Sequence, residues 1–332
     1  MDEPVWPFYV SALLTGGAFG YAAQRGGFCL TRALSNLYLF GDATIVRAYL
    51  LALVVAAIGV HALGALGLIE VPIRPFHWVA NLTGGFVFGA GMIMAGGCAG
   101  STWYRVGEGA IGAWVVLFGF GLGATTASVG VLAPLRRRLQ EPSITVGGAA
   151  PTLPGVLGVS PWVLIAVIAA GAALLVWRGR PEAEHGKWRW PLTGTVIGIL
   201  IAAGWWASSF GGSLTGITFA SNTGNALSYP LVGYPNRATW GMVLLPGVVA
   251  GAFIGAWRAR EFRWKLPPGW SLVTIFAGGL LMGASAIVGE GCNVTQGLTN
   301  GATLALGSLT AFASMWAGAY AAVWFLFLRN PQ

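Results

Sequence analysis

The stretch Phe88-Gly89-Ala90-Gly91-Met92-Ile93-Met94-Ala95-Gly96-Gly97-Cys98 decides how this chain is read. An apolar helical pattern stops there on two glycines and a cysteine. Similar text recurs as FGYAAQRGGFC at 19–29, MGASAIVGEGC at 282–292 and, with serine for cysteine, GGSLTGITFAS at 211–221. In each copy a glycine (Gly20, Gly89, Gly212, Gly283) is followed nine residues later by Cys29, Cys98, Ser221 or Cys292. Cys29 and Cys98 lie 69 residues apart, and Ser221 and Cys292 lie 71 apart. One Gly-x8-Cys match in a glycine-rich chain means nothing. Four matched texts at matched intervals mark an internal repeat.

Composition sets the medium. Only 8% of the 332 residues are charged and 56% are hydrophobic, whereas a soluble domain carries about 25% charged residues. So few charges cannot cover a water-facing surface. No alternating ten-residue segments suggest a transmembrane β-barrel. The fold class expected is all-α, a polytopic membrane protein. About 20 apolar residues cross the hydrocarbon, and nine stretches qualify: 6–23, 43–69, 78–95, 110–132, 160–178, 190–209, 238–258, 271–288 and 303–328. The 52 glycines suit close helix packing and broken helices that line a cavity. The start Met1-Asp2-Glu3-Pro4 lacks a basic n-region, so the first apolar stretch is expected to stay in the chain.

Alternating the spans places Arg74, Arg136, Arg137, Arg138 and Arg237 on one side and the other thirteen Lys and Arg on the opposite side. By the positive-inside rule the second side is cytoplasmic, with the N-terminus outside and the C-terminus inside. That rule accounts for the net charge of +8, which on a soluble protein would have raised nucleic acid as a partner. None is expected here; the partner surface is membrane lipid. Arg136-Arg137-Arg138 is the exception, in a long outer loop (133–159) expected to be irregular and placed to attract anions. The chain reads as one transmembrane transport domain, 1–332. Its two repeats, about 1–135 and 185–332, are linked by a helix at 160–178. One helix between the halves inverts the second, so Cys29 and Cys98 approach from the cytoplasmic side and Ser221 and Cys292 from outside. Inverted repeats place substrate at their interface, near the midplane.

After each Cys or Ser the apolar run ends in polar text: Thr31-Arg32, Ser101-Thr102, Asn222-Thr223 and Asn293-Val294-Thr295-Gln296. These segments read as re-entrant: a helix end, a tight glycine turn and a short helix whose N-terminus favours an anion. An isolated cysteine is usually a small buried hydrophobe. Here all three cysteines of the chain fall at equivalent repeat positions. A protonated thiol is a weak donor with a soft sulfur, which suits a sulfur-bearing or soft substrate. The candidate substrate contacts are Cys29, Cys98, Cys292, Ser221, Asn293 and Gln296, with Arg105, Glu108 and Glu290 as charged groups near membrane depth. For the acids an ion pair (Glu108 with Arg105) or a helix cap is the competing role. Arg25, Arg32 and Arg105 also suit interfacial snorkelling. Met92, Met94 and Met282 lie near two cysteines, but packing explains them better than copper. His61, His77 and His185 share no metal-site spacing. No cofactor motif and no GxxxxGK[ST] loop is present.

The motifs RGGFCLTRAL at 25–34, GMIMAGGCAGSTWYRVGEG at 91–109 and GEGCNVTQGL at 289–298 resemble the YeeE/YedE family of sulfur-transport membrane proteins over essentially the whole chain. The resemblance implies an hourglass-shaped, non-enzymatic importer of thiosulfate in the bacterial cytoplasmic (inner) membrane. It implies that Cys29, Cys98 and Cys292 contact the ion in succession, and that a small TusA-like cytoplasmic sulfur carrier receives the sulfur. Related members are linked to selenium, so a selenium compound is the alternative substrate. A membrane thiol–disulfide oxidoreductase would need cysteine pairs able to close. CxxC is absent, and alternate cysteines are expected from opposite sides.

Overall fold

A computed structural model describes residues 6–70, 72–177, 187–210, 214–232 and 238–329. The helices in chain order are α1 (Trp6–Gly26), α2 (Leu30–Phe40), α3 (Thr44–Ala65), α4 (Trp78–Met94), α5 (Ala99–Gly107), α6 (Ile111–Ser128), α7 (Ala133–Gln140), α8 (Leu153–Leu157), α9 (Pro161–Trp177), α10 (Trp190–Ser209), α11 (Ala220–Val232), α12 (Trp240–Arg258), α13 (Gly269–Val288) and α14 (Leu306–Val323). A π-helical turn at Thr295–Thr299 and a 3₁₀ turn at Gly301–Thr303 form a further short, irregular helical segment before α14. Among the described residues, β-structure is limited to isolated bridges. The chain is an all-α polytopic membrane protein.

The long helices α1, α3, α4, α6, α9, α10, α12, α13 and α14 coincide with the nine expected spans. Length and apolarity alone select seven membrane-crossing stretches, with Pro161–Ala173 as a shorter apolar helix. Helix α1 is long enough, at 21 residues, but is not among the seven.

Glycine sets the packing. α1 lies against α12 and α10, α3 against α10, α6 against α13, and α4 against α14 and α13. At these seams glycines recur four apart: Gly16 and Gly20 on α1, Gly85 and Gly89 on α4, Gly119 and Gly123 on α6, Gly247 and Gly251 on α12, Gly279 and Gly283 on α13. A methyl on Gly20 would overlap the carbonyl of Val248, and one on Gly251 the carbonyl of Gly17. In lipid there is little hydrophobic gain from helix association, so backbone approach and dispersion hold the bundle. The repeat glycines Gly20, Gly89 and Gly283 are therefore seam residues.

The segment 133–159 is more ordered than expected. It contains α7 and α8 and is laced to the bundle. Ile144 N donates to Phe76 O at 2.9 Å, Leu153 N to Leu304 O at 2.9 Å, and Leu306 N to Pro151 O at 3.1 Å. Gln140 Nε2 donates to the carbonyls of Ile287 and Val288, at 3.3 and 3.0 Å, so α7 covers the carbonyl end of α13. Arg136 donates to Ser128 O and Gln140 Oε1.

Gly251→Ala is expected to cost about 1–3 kcal/mol through overpacking and to lower the melting temperature in detergent. Gly171→Ala, on α9 with nothing within 4 Å of the added methyl, should leave it unchanged. Equal melting temperatures for both variants would contradict the seam assignment.

Candidate substrate path

Three helix ends are closed in the same way. Phe28 N donates to Ala23 O (2.9 Å), Gly97 N to Met92 O (3.2 Å) and Gly291 N to Ala286 O (2.7 Å). Each closure needs a left-handed residue, supplied by Gly27 (φ 58°), Gly96 (φ 65°) and Glu290 (φ 62°). Two residues after each stands a cysteine. Cys29 is the N-cap of α2 and Cys98 that of α5, while Cys292 directly precedes the 293–303 segment. All three thiols are buried. Each therefore sits where free backbone N–H groups and the positive end of a helix point.

The fourth copy is shifted. Gly212 lies outside the described residues. The left-handed turn is Gly216 (φ 57°), and two residues on is Thr218, which is buried. The Thr218 carbonyl accepts from Asn222 Nδ2 at 2.8 Å, much as the Cys98 carbonyl accepts from Thr102 Oγ1 at 2.8 Å. Ser221 is instead the second residue of α11 and is exposed. The text match fell three residues late because it followed the glycine spacing rather than the turn.

Cys29 and Cys98 come together. Cys29 Sγ donates to Ser101 Oγ at 3.1 Å. Ser101 Oγ also accepts from Cys98 N at 2.9 Å. Ser101 thus links Cys29 to Cys98, the two cysteines expected from the same side. Cys292 Sγ contacts Thr295 Oγ1 at 3.3 Å. Tyr49 of α3 accepts at its hydroxyl from Asn293 Nδ2, next to Cys292 in the chain, at 2.7 Å. Its ring stacks on Phe28, 4.4 Å away at 9°, and on Phe312, 6.1 Å away at 19°. Phe219 and Val294, both buried, pack against Gly100, two residues after Cys98.

Several buried polar atoms here lack a protein partner: Thr31 Oγ1, Asn81 Oδ1, His77 Nδ1, Asn293 Oδ1, Gln296 Oε1 and Asn300 Nδ2. Buried polar groups are normally bonded, so each of these atoms is open to a bond that the protein does not supply. Gln296 itself donates to Gly289 O at 2.6 Å.

The two ends differ. At the expected cytoplasmic end a cavity of about 780 Å³ reaches Cys29 and Thr31. Arg32, Arg105, Lys187, Arg260, Arg263 and Lys265 line it, against the acids Glu108 and Glu261. Arg105 does not simply pair with Glu108: its Nη1 donates to Gly96 O at 2.8 Å and so braces the turn before Cys98. Glu108 is the C-cap of α5, and its carbonyl accepts from Arg263 N. Glu261 accepts from Lys187 Nζ at 2.8 Å and Gln24 Nε2 at 2.7 Å. Burial pushes its carboxyl up, but the Lys187 and Gln24 hydrogen bonds and the Lys187 and Arg25 charges outweigh that and hold it below its ordinary value. At the opposite end a recess walled by Arg74, Asn81, Glu290, Gln296 and Ser308 leaves no room for a water molecule.

Sequence reasoning missed Tyr49, His77, Ser101 and Thr218. His77 faces Glu290, with Nε2 to Oε1 at 3.6 Å; a separation of 213 residues leaves no spacing signal. His185 lies outside the described residues. Met92 and Met282 are fully buried packing residues. Among the described residues no group of three or more His, Cys, Asp or Glu is placed to hold a metal.

A family described as sulphur transport matches residues 25–321. The chain is 30% identical over 344 residues to "Thiosulfate transporter TsuA" of Escherichia coli (strain K12), covering 97% of this chain and 96% of that one. It is 32% identical over 331 residues to the protein of the same name from Spirochaeta thermophila, covering 96% and 99%. "Probable transporter YedE" of Salmonella typhimurium is 33% identical over 116 residues, 34% of this chain and 28% of its own. The long apolar helices, the central string of thiols and this near-complete match agree: the chain belongs to the sulphur-transport family of multi-pass membrane transporters.

Proposed function

We propose that the chain imports thiosulfate, or a closely related sulfur-bearing anion, into the bacterial cytoplasm. The path runs from Cys292 past Tyr49 to Cys98 and Cys29, and ends in the basic cavity. There a TusA-like carrier receives the sulfur. The observation that carries this reading is the position of all three buried thiols, each directly before a short helical segment, with the Tyr49 hydroxyl bonded to Asn293 beside Cys292 in the chain. Protonated thiols donate S–H to the anion, and the helix N-termini offset its charge. The soft sulfur suits a sulfur-bearing ligand over a hard oxyanion. Asn293 and Gln296, within four residues of Cys292 in the chain, have unpartnered buried amide oxygens.

Each contact has to be weak, because conduction requires release as well as capture. A neutral hydrogen bond nets about 0.5–1.5 kcal/mol, a suitable scale for successive sites. The basic residues around the cavity of Cys29 draw the anion onward and favour a cytoplasmic assignment for that end. Two inverted repeats are supported by the packing. Exchanging α1 with α10, α3 with α12, α4 with α13 and α6 with α14 turns the contact of α1 on α12 into that of α10 on α3. It likewise turns α6 on α13 into α14 on α4.

Cells dependent on this chain for radiolabelled thiosulfate uptake provide the test. Alanine at Cys29, Cys98 or Cys292 is expected to lower uptake at least about tenfold, the equivalent of about 1.4 kcal/mol, at matched expression. Wild-type uptake by all three variants would refute the thiol path; uptake of selenium analogues but not thiosulfate would change the substrate. Tyr49→Phe, which strands Asn293 Nδ2, should lower uptake several-fold. In detergent, a small anionic methanethiosulfonate should modify Cys29, which lines the open cavity, before Cys98 and Cys292. The reverse order would place the open end elsewhere.

A further inference from the structure

We propose that Glu290 and His77 form a proton-binding site that couples entry of the anion to the proton gradient. This rests on the import reading above. The need is electrical. An inside-negative potential of 100 mV excludes a dianion by roughly three orders of magnitude in concentration, and the chain shows no nucleotide-binding loop.

The backbone singles out Glu290. At the equivalent turns the left-handed residue is Gly27 or Gly96, and only here is it a residue with a side chain. A carboxylate in left-handed backbone is strained, and such strain persists where the side chain is used. The side chain faces His77 Nε2 at 3.6 Å, with His77 and Glu290 only 20% and 16% exposed. The other charged group beside it is Arg74, on the segment before α4. The remaining walls are the uncharged Asn81 of α4, Gln296 of the 293–303 segment and Ser308 of α14. Cys292 follows two residues on in the chain.

The amides are poised to receive a proton donor. Asn81 Nδ2 and Gln296 Nε2 both donate to Gly289 O, at 3.3 and 2.6 Å. Their oxygens are left buried without a donor, as is His77 Nδ1. A protonated carboxyl supplies the missing O–H; a protonated imidazole supplies a second N–H. Arg74 and Glu290 cancel, so the cluster is neutral with His77 neutral and gains one positive charge when the pair takes a proton. That charge meets an arriving anion. Gln296 N also donates to Cys292 O at 2.8 Å, so the proton site and the outermost thiol share one short segment.

The test uses the purified chain in liposomes with radiolabelled thiosulfate. Exchange, with equal thiosulfate on both sides and no gradient, reports the path. Accumulation at zero membrane potential under an imposed pH gradient, acid outside, reports coupling. The wild type should accumulate up to about tenfold per pH unit for each proton carried, since one unit is a tenfold activity ratio, and a protonophore should abolish this. Glu290→Gln and His77→Gln should reduce the ratio of accumulation to exchange at least tenfold. Glu290→Gly, which restores the residue type of the equivalent turns, should raise the melting temperature and still lose accumulation. Wild-type exchange without pH-driven accumulation, or accumulation driven by sodium instead, overturns the proton site and leaves the import reading standing. Undiminished accumulation by both glutamine variants overturns its location. Absence of thiosulfate exchange in the wild type overturns both.

Discussion

A helix that stops inside a membrane must satisfy its own backbone, because lipid offers no hydrogen bonds. The rest of this structure depends on how that is done. Three times the chain ends a long helix with a left-handed turn that folds an N–H back onto the helix, at Phe28, Gly97 and Gly291. Three times a cysteine follows at the start of a short helix. The closure leaves each buried thiol beside a helix N-terminus, which polarises its surroundings. The glycine seams of α1 with α12, α4 with α14 and α6 with α13 make room for the breaks. They let long helices approach closely while the short ones occupy the space between.

Much of this was legible in the sequence. The halt of an apolar run at Gly96-Gly97-Cys98 and its counterparts is a local event, and local backbone chemistry can be read from residue type. Seven of the nine expected spans are long and apolar enough to cross a membrane, and they were legible because hydrocarbon thickness fixes their length. What was hidden is non-local. Tyr49 meets Asn293 from 244 residues away, and Glu290 meets His77 through a fold-wide juxtaposition. The fourth repeat shows the limit of text alignment. Its turn is centred on Gly216, but the glycine spacing pointed to Ser221. Arg105 shows a second limit: the neighbouring Glu108 suggested an ion pair, whereas the guanidinium braces the Gly96 carbonyl.

The electrostatics are asymmetric. The wide end is lined by six basic and two acidic side chains. The narrow end carries one Arg, one Glu and one His around a recess with no space for water. Between them lie thiols, hydroxyls and amides, with Phe28, Tyr49, Phe312 and Phe219 as apolar walls. A solute crossing this centre gives up part of its hydration shell for S–H donors and helix N-termini. An anion with a diffuse, soft end loses least in that exchange. That exchange is the link we propose between three cysteines in glycine turns and a family of sulfur transporters.

The central claim is that the substrate's sulfur touches these thiols. Its most direct test is crystallographic: crystals of the wild-type chain soaked in selenosulfate, with anomalous data collected at the selenium edge. The account predicts selenium peaks within van der Waals contact, about 4 Å, of Sγ of Cys292, Cys98 or Cys29. Peaks confined to the arginine-lined cavity, with none near a thiol at full soaking, would contradict it.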